Sequence, residues 1–287
     1  MTVIGGNMIR DFTHLDLNEI IRIYTLEYQA MPDEIETLKA ASKILVYEEQ
    51  GAILGFVHLD INGEKCYMEM GIACDEQVIA IGLKLWDEVK KVIAENDIHS
   101  ITTFHVKENQ YWLQLFDQIG LEYWYSVYRF CYRGPKFVEP ILNVVQYEDR
   151  YFEDKIRLES EAFSVLREEN DIKPYNWYLG ASKEALDHNR KRTLSNKAYI
   201  YLFFEADEMV GASMVKNAEL DLLFVNVKFQ GKGYGKKLLE FTVNKGLEQN
   251  AEGVSLNALA SNEMALKLYT NAGFKILQAQ DCRQIKF

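Results

Sequence analysis

Gln230-Gly231-Lys232-Gly233-Tyr234-Gly235-Lys236-Lys237 is the stretch on which the reading of the fold turns. It follows an apolar strand pattern, Leu220-Asp221-Leu222-Leu223-Phe224-Val225. It precedes a helical pattern carrying Leu238, Leu239, Phe241, Thr242, Val243 and Leu247. Glycine at three alternate positions lets the backbone turn tightly and approach a ligand with no Cβ in the way. The helix beyond it aims free N–H groups and the positive end of its dipole into the turn. Such a turn suits phosphate, and Lys232, Lys236 and Lys237 add positive charge in a chain of net charge -11. The spacing is not the Gly-x-Gly-x-x-Gly of dinucleotide sites, and no Gly-Lys-Ser/Thr of a nucleoside-triphosphate loop is present. Taken alone, the turn also fits a plain strand-to-helix connection with solvated lysines.

A second motif follows. Val254-Ser255-Leu256-Asn257-Ala258-Leu259 alternates as a strand does. In Asn262-Glu263-Met264-Ala265-Leu266-Lys267-Leu268-Tyr269-Thr270-Asn271-Ala272-Gly273-Phe274, Ala265, Leu268, Tyr269 and Ala272 recur at helical spacing, and Gly273 is a helix stop. Gln-x-x-Gly-x-Gly, a strand, and then Asn-x-x-Ala-x-x-Leu-Tyr-x-x-x-Gly-Phe closely resembles the GNAT superfamily of acyl-CoA N-acyltransferases across residues 218 to 274. The resemblance implies acetyl-CoA as co-substrate and no metal. It implies that Gln230, Gly231, Lys232, Gly233, Tyr234, Gly235 and Lys236 form the loop for the coenzyme A pyrophosphate. Phe224 and Val225 match the strand whose main chain bonds the pantetheine arm, and Asn262 the polar residue that helps hold it. Tyr269 matches the tyrosine that protonates the departing thiolate. Glu219 stands where one branch of the family places the glutamate that deprotonates the amine.

Elementary chemistry agrees with those roles. An ammonium has no lone pair, so N-acylation needs a general base, directly or through water. The leaving thiolate needs only mild help, because a thiol has a pKa near ~8.5. The transient oxyanion is best served by a fixed backbone N–H. Glu219 and Asp221, two apart on a strand, are expected on one face, where they would favour a cationic acceptor. Apart from the resemblance, Tyr269 reads as a core aromatic, Glu219 as a solvated strand end, and Asn262 as a helix N-cap with Glu263 in the first turn.

At 287 residues, with 48% hydrophobic and 26% charged residues, the chain has room for two globular units. No apolar run approaches the ~20 residues of a membrane span, and the first ten residues lack a signal-peptide core. Cys66, Cys74, Cys131 and Cys282 are scattered and read as reduced thiols, so a cytoplasmic protein is expected. The acidic balance excludes nucleic acid as the main partner. The expected partner is a small-molecule or peptide amine, with the chain a monomer or homodimer.

The chain contains a repeat. At an offset of 153 residues Gln230 falls on Gln77, Gly235 on Gly82, Asn262 on Asn109, Leu268 on Leu115, Tyr269 on Phe116 and Gly273 on Gly120. The expected fold class is mixed α/β, with two tandem GNAT-like domains. Each would have a central mixed, mainly antiparallel sheet flanked by helices. Residues 1–134 would form a degenerate copy, 135–140 a linker and 141–287 the acetyltransferase copy. In the first copy Val78, Ala80 and Ile81 replace Gly231, Gly233 and Tyr234; Phe116 lacks a hydroxyl; and Cys66 stands in for Glu219. That copy is expected to keep the fold and bind coenzyme A poorly or not at all. Two-copy relatives resembling mycothiol synthase imply a small-molecule amine acceptor, and a non-catalytic acyl-CoA-binding or sensing protein is the alternative. Ala162-Phe163 and the aromatic run Ile172 to Tyr178 fall in the acceptor region; core packing is the plainer reading of that run. Arg190-Lys191-Arg192 reads as a solvated helix face.

Overall fold

In a computed structural model that describes residues 6–28, 42–107 and 109–287, the chain divides into two compact units. One comprises the described residues through Tyr125 together with Gln280–Phe287; the other is Ser126–Ala279.

The first unit begins with β1 (Met8–Asp11) and α1 (Leu17–Tyr28), then β2 (Lys43–Glu49), β3 (Ala52–Asn62) and β4 (Lys65–Ile72). It continues with α2 (Val78–Glu95), β5 (Ser100–Val106), α3 (Gln110–Ile119) and the start of β6 (Glu122–Tyr132). Its strands run in the order β1-β2-β3-β4-β5, and all neighbours are antiparallel except β4 and β5. Strand alternation is plain in β4: Cys66, Met68, Met70 and Ile72 enter the main core. That core is closed from the other side by Val78, Ile81, Leu85, Trp86, Val89 and Val92 of α2, at helical spacing. α3 adds Trp112, Leu115, Phe116 and Ile119, and ends at Gly120 in the left-handed region with φ 81°.

The second unit repeats the order. β7 (Asn143–Gln146) is followed by α4 (Phe152–Glu169), the short α5 (Trp177–Gly180), α6 (Lys183–Ser195), β8 (Ile200–Glu205), β9 (Glu208–Lys216) and β10 (Glu219–Val225). Then come α7 (Tyr234–Gln249), β11 (Val254–Leu259), α8 (Glu263–Asn271) and the start of β12 (Lys275–Lys286). The strand order is β7-β8-β9-β10-β11, with only β10 and β11 parallel. α7 packs Leu239 and Val243 against Leu220, Val254 and Leu256, while α4 packs Phe152 and Ile156 against Leu202, Ala212 and Phe224. The fold is therefore mixed α/β, with mainly antiparallel sheet flanked by helices.

The sixth strand of each unit comes from the other half of the sequence. Val127 to Tyr132 of β6 pair antiparallel with β11, Leu259 to Val254. Gln280 to Lys286 of β12 pair antiparallel with β5, Val106 to Ser100. The compact units thus divide at 125/126 and 279/280, where the sequence reading drew copies 1–134 and 141–287. Within the expected linker, Phe137 donates its N–H to Asn244 Oδ1 at 2.8 Å and accepts from Asn244 Nδ2 at 3.0 Å, so this segment lies against α7.

Candidate active site

The β10–β11 pair opens where it matters. Only Glu219–Ser255 and Leu220–Leu256 are paired, and beyond Leu220 the strands have no paired residues. On its other side β10 has a bulge between Leu220 and Leu222 in its pairing with β9. The extra residue, Asp221, resets the alternation. Leu220 packs toward α7 and α8, whereas Leu222 and Phe224 pack toward α4. Without that bulge Leu220, Leu222 and Phe224 would share one face.

Asn226 ends the strand. It is buried; its N–H donates to Val210 O at 2.7 Å, its Nδ2 to Met209 O, and its Oδ1 accepts from Lys228 N. Sequence reasoning passed over this residue, although asparagine after a strand is a common turn-former. Gln230 Nε2 then donates to Val225 O at 3.1 Å, closing the loop on the strand it leaves. Gly231 and Gly233 have φ of 73° and 84°, a region that costs other residues roughly 1–2 kcal/mol. A Cβ at either would meet nothing within 4 Å, so glycine is required there by conformation, and the space over both is open. Gly233 is the N-cap of α7, and the first N–H groups of that helix face the open turn.

A cavity of about 690 Å³ lies beside this turn. Phe224, Val225, Gln230, Gly231, Gly235, Asn262 and Tyr269 all line it. Lys232, Gly233, Tyr234 and Lys236 stand at the exposed turn outside its walls. Lys232 Nζ lies 5.1 Å from the Phe229 ring centre, Lys236 pairs with Glu240 at 3.8 Å, and Tyr234 donates to Glu205. Asn262 caps α8, accepting from Ala265 N at 3.1 Å, so its cap role is real and its position on the cavity wall adds to it. Tyr269 is buried against Phe130 and Phe274, with ring centres 5.8 and 5.9 Å away. Burial pushes its hydroxyl up to about 12, so it is a protonated phenol at any physiological pH.

Glu219 is not among the cavity residues. It sits at the far end of β10, where Asn257 Nδ2 donates to its Oε1 at 3.4 Å. Asp221 is exposed and lines a different, polar cavity. The second wall of the 690 Å³ cavity is α4: Glu161, Ala162, Phe163, Val165, Leu166 and Glu169. Ala162 and Phe163 were expected in the acceptor region and stand on this wall, beside Val225 and Gln230; the other four were missed, since an amphipathic helix alone does not say which face meets solvent and which a ligand. Ser261 Oγ donates to Asn170 Oδ1 at 3.0 Å and links the end of α4 to the β11–α8 connection. The aromatic run Ile172 to Tyr178 lines neither cavity. Trp177 and Tyr178 pack on the α4 core, and Tyr175 bonds Asp171. Arg190 is bound to Asp149 at 2.6 Å, and Arg192 of the same basic triplet lines the polar cavity. Among the described residues no group of three His, Cys, Asp or Glu is placed to hold a metal, and no helix is long and apolar enough to cross a membrane.

Residues 168–284 match a family model described as an acetyltransferase (GNAT) domain. No curated protein matches the chain in sequence. Among solved structures, the chain resembles a GCN5-related N-acetyltransferase from Sphaerobacter thermophilus, with a TM-score of 0.78 at 13% identity over 98% of this chain and 95% of that one. It also resembles a tandem GNAT protein from the clavulanic acid biosynthesis pathway, with a TM-score of 0.66 at 10% identity over 98% of each chain. A GNAT-family acetyltransferase from Colwellia psychrerythraea gives a TM-score of 0.61 at 13% identity, over 98% of this chain and 99% of that one. Residues 168–284 thus match a GNAT acetyltransferase domain, and the chain as a whole has the fold of GNAT proteins, a tandem one included.

Proposed function

We propose that the second unit is an N-acetyltransferase site that moves acetyl from acetyl-CoA to an amine by direct transfer. The observation that carries this reading is that one cavity gathers Val225, Gln230, Gly231, Gly235, Asn262 and Tyr269, residues separated by up to 44 positions. The bound co-substrate supplies the activated acetyl thioester. Gly231, Gly233 and the first N–H groups of α7 hold its phosphates, with Lys232, Lys236 and Lys237 adding positive charge. Phe224 and Val225, on the part of β10 that β11 leaves unpaired, offer main-chain bonds to the pantetheine arm, and Asn262 holds the same arm.

The amine nitrogen attacks the acetyl carbon, forming C–N as C–S breaks. The amine proton passes to Glu219, Asp221 or water beside them, and the Tyr269 hydroxyl gives its proton to the departing sulfur. A phenol with its pKa pushed up to about 12 is a weak acid but a fully protonated one, which suits a leaving group that needs little help. One observation favours the second reading, a non-catalytic acyl-CoA-binding or sensing protein: Glu219 lies off the cavity and is engaged by Asn257. Free-thiol release from acetyl-CoA against a panel of amines separates the two. Release that depends on the amine supports transfer, whereas tight coenzyme A binding with no release from any amine supports the sensor. A mycothiol synthase-like acceptor, a cytoplasmic location and a degenerate first copy belong to the same proposal.

A further inference from the structure

A second cavity of about 430 Å³ opens in the same unit, and its chemistry differs from the first. Lys155, Glu159, Arg192, Lys216, Asp221 and Leu222 are on its walls. Two features join it to the 690 Å³ cavity. Along α4, Lys155, Glu159, Ala162, Leu166 and Glu169 recur at spacings of four and three, so they form one stripe on the helix. The first two face the polar cavity and the last three the other. On β10, Asp221 and Leu222 line one, and Leu223 to Val225 the other. Along β10 the two linings adjoin between Leu222 and Leu223, at the bulge and just past the last β10–β11 pair.

The charges of this cavity are unbalanced. Lys155 is buried and held by Glu159 at 2.5 Å. Lys216 Nζ donates to the neutral Asn196 Oδ1 at 3.2 Å and lies 5.6 Å from the Tyr199 ring centre. Neither Lys216 nor Arg192 is in an ion pair among the described residues. Two cations converging on a partly enclosed space, in a chain of net charge -11, form a receptor for an anion. Asp221, on the opposite wall at the bulge, suits a cationic amine.

Resting on the acetyl-transfer reading of the neighbouring cavity, we infer that this polar cavity receives the acceptor, and that the acceptor is an amine that also carries an anionic group, carboxylate or phosphate. Arg192 and Lys216 bind the anion; Asp221 orients the amine toward the neighbouring cavity.

The test uses the full chain, acetyl-CoA and matched amines: glycine with glycinamide, phenylalanine with phenylalaninamide, and phosphoethanolamine with ethanolamine. Initial rates of thiol release are expected to favour the anionic member of at least one pair by about tenfold or more in kcat/KM. Which pair responds tells carboxylate from phosphate. Arg192→Gln and Lys216→Gln, both distant from the coenzyme loop, are each expected to collapse that preference while leaving the KM for acetyl-CoA unchanged. Lys155 is left alone, because removing a buried lysine beside its glutamate could simply unfold the unit. Equal turnover of the pair members, or a preference that survives both changes, overturns the inference. If no amine releases thiol, the transfer reading fails and the cavity is judged by thermal shift with inorganic phosphate and with acetate. A Tm rise that is lost in the Arg192→Gln, Lys216→Gln double variant upholds the anion site, and no such rise overturns it.

Discussion

Gly82 and Gly235 stand at the same offset of 153 residues as the leucines they face, Leu115 and Leu268. A Cβ on Gly82 would come 2.3 Å from Leu115 Cδ2, whereas one on Gly235 would stand 3.6 Å from Leu268 Cδ2. The same two helices, laid on the same kind of strand pair, are shut against each other in one unit and stand apart in the other. Around the shut pair, Val78 and Ile81 are buried in the core at the start of α2, and Phe116 stacks on Trp112 at 5.5 Å. Asn109 Nδ2 donates to Asp75 Oδ1, so the counterpart of Asn262 is tied to the loop before α2. Cys66 is buried and pushed up to about 12 by burial, which makes it inert as a base. Around the open pair, Gly231 and Gly233 have nothing within 4 Å of a would-be Cβ, and Tyr269 borders a cavity. On the proposed reading, in which only the second unit binds coenzyme A, the two copies differ by a few side chains at one helix start, with the strand order unchanged.

The comparison breaks most sharply at Gly233. Gly233→Asp puts a side chain at φ 84° and a negative charge where phosphates are expected. Coenzyme A affinity measured by calorimetry is expected to fall by about 100-fold or more. The corresponding change in the other unit, Ala80→Asp at an exposed position, is expected to leave affinity and stoichiometry as they were, at one coenzyme A per chain. Two equivalent sites, or an effect of the Ala80 change as large as that of the Gly233 change, would end the distinction.

Tyr269→Phe converts the open unit to the residue found in the shut one. Turnover is expected to drop by about 100-fold with coenzyme A affinity nearly intact, the scale of a lost general acid. The pH dependence of turnover separates Tyr269 from the amine. A phenol raised to about 12 stays protonated below that value, so Tyr269 contributes no loss of rate between pH 6 and 10. Over that range kcat/KM should rise with pH as the amine loses its proton. A fall in rate near pH 9 that vanishes in Tyr269→Phe would contradict the burial seen here.

The legibility of these features follows from their range along the chain. The turn at Gly231–Gly235, the cap at Asn262 and the stop at Gly273 are local, and glycine or asparagine at such positions declares a backbone conformation directly. The burial of α2 follows local spacing likewise, with Val78, Ile81, Leu85, Val89 and Val92 on its buried face. The exchange of sixth strands was not, because β6 and β12 carry the same alternation whichever neighbour they pair with. The bulge at Asp221 was hidden too. Glu219-Leu220-Asp221-Leu222 reads as regular alternation, yet the extra residue puts Leu220 and Leu222 on opposite faces. Glu219 stands off the cavity because the cavity meets β10 only from Leu223 onward, a limit set by α4 and α8, which are distant in sequence.

The smallest expected effect tests the comparison through stability alone. Gly82 lies within α2, where alanine gains about 1 kcal/mol over glycine in helix propensity. Against this, the new methyl would press on Leu115, which is wholly buried between Trp112, Phe116 and α2 in a close-packed core. Overpacking of that kind costs roughly 1–3 kcal/mol, so Gly82→Ala should destabilise by about 1 kcal/mol net. Gly235→Ala gains the same propensity at the start of α7 and meets Leu268 only at ordinary contact distance, so it should be neutral or stabilising by up to about 1 kcal/mol. Denaturant midpoints of the two variants against the parent chain, at unchanged slope, read the difference. Opposite signs support one closed and one open helix pair. A Gly82→Ala chain as stable as Gly235→Ala would mean that Leu115 yields freely, and that the first unit is no more closed than the second.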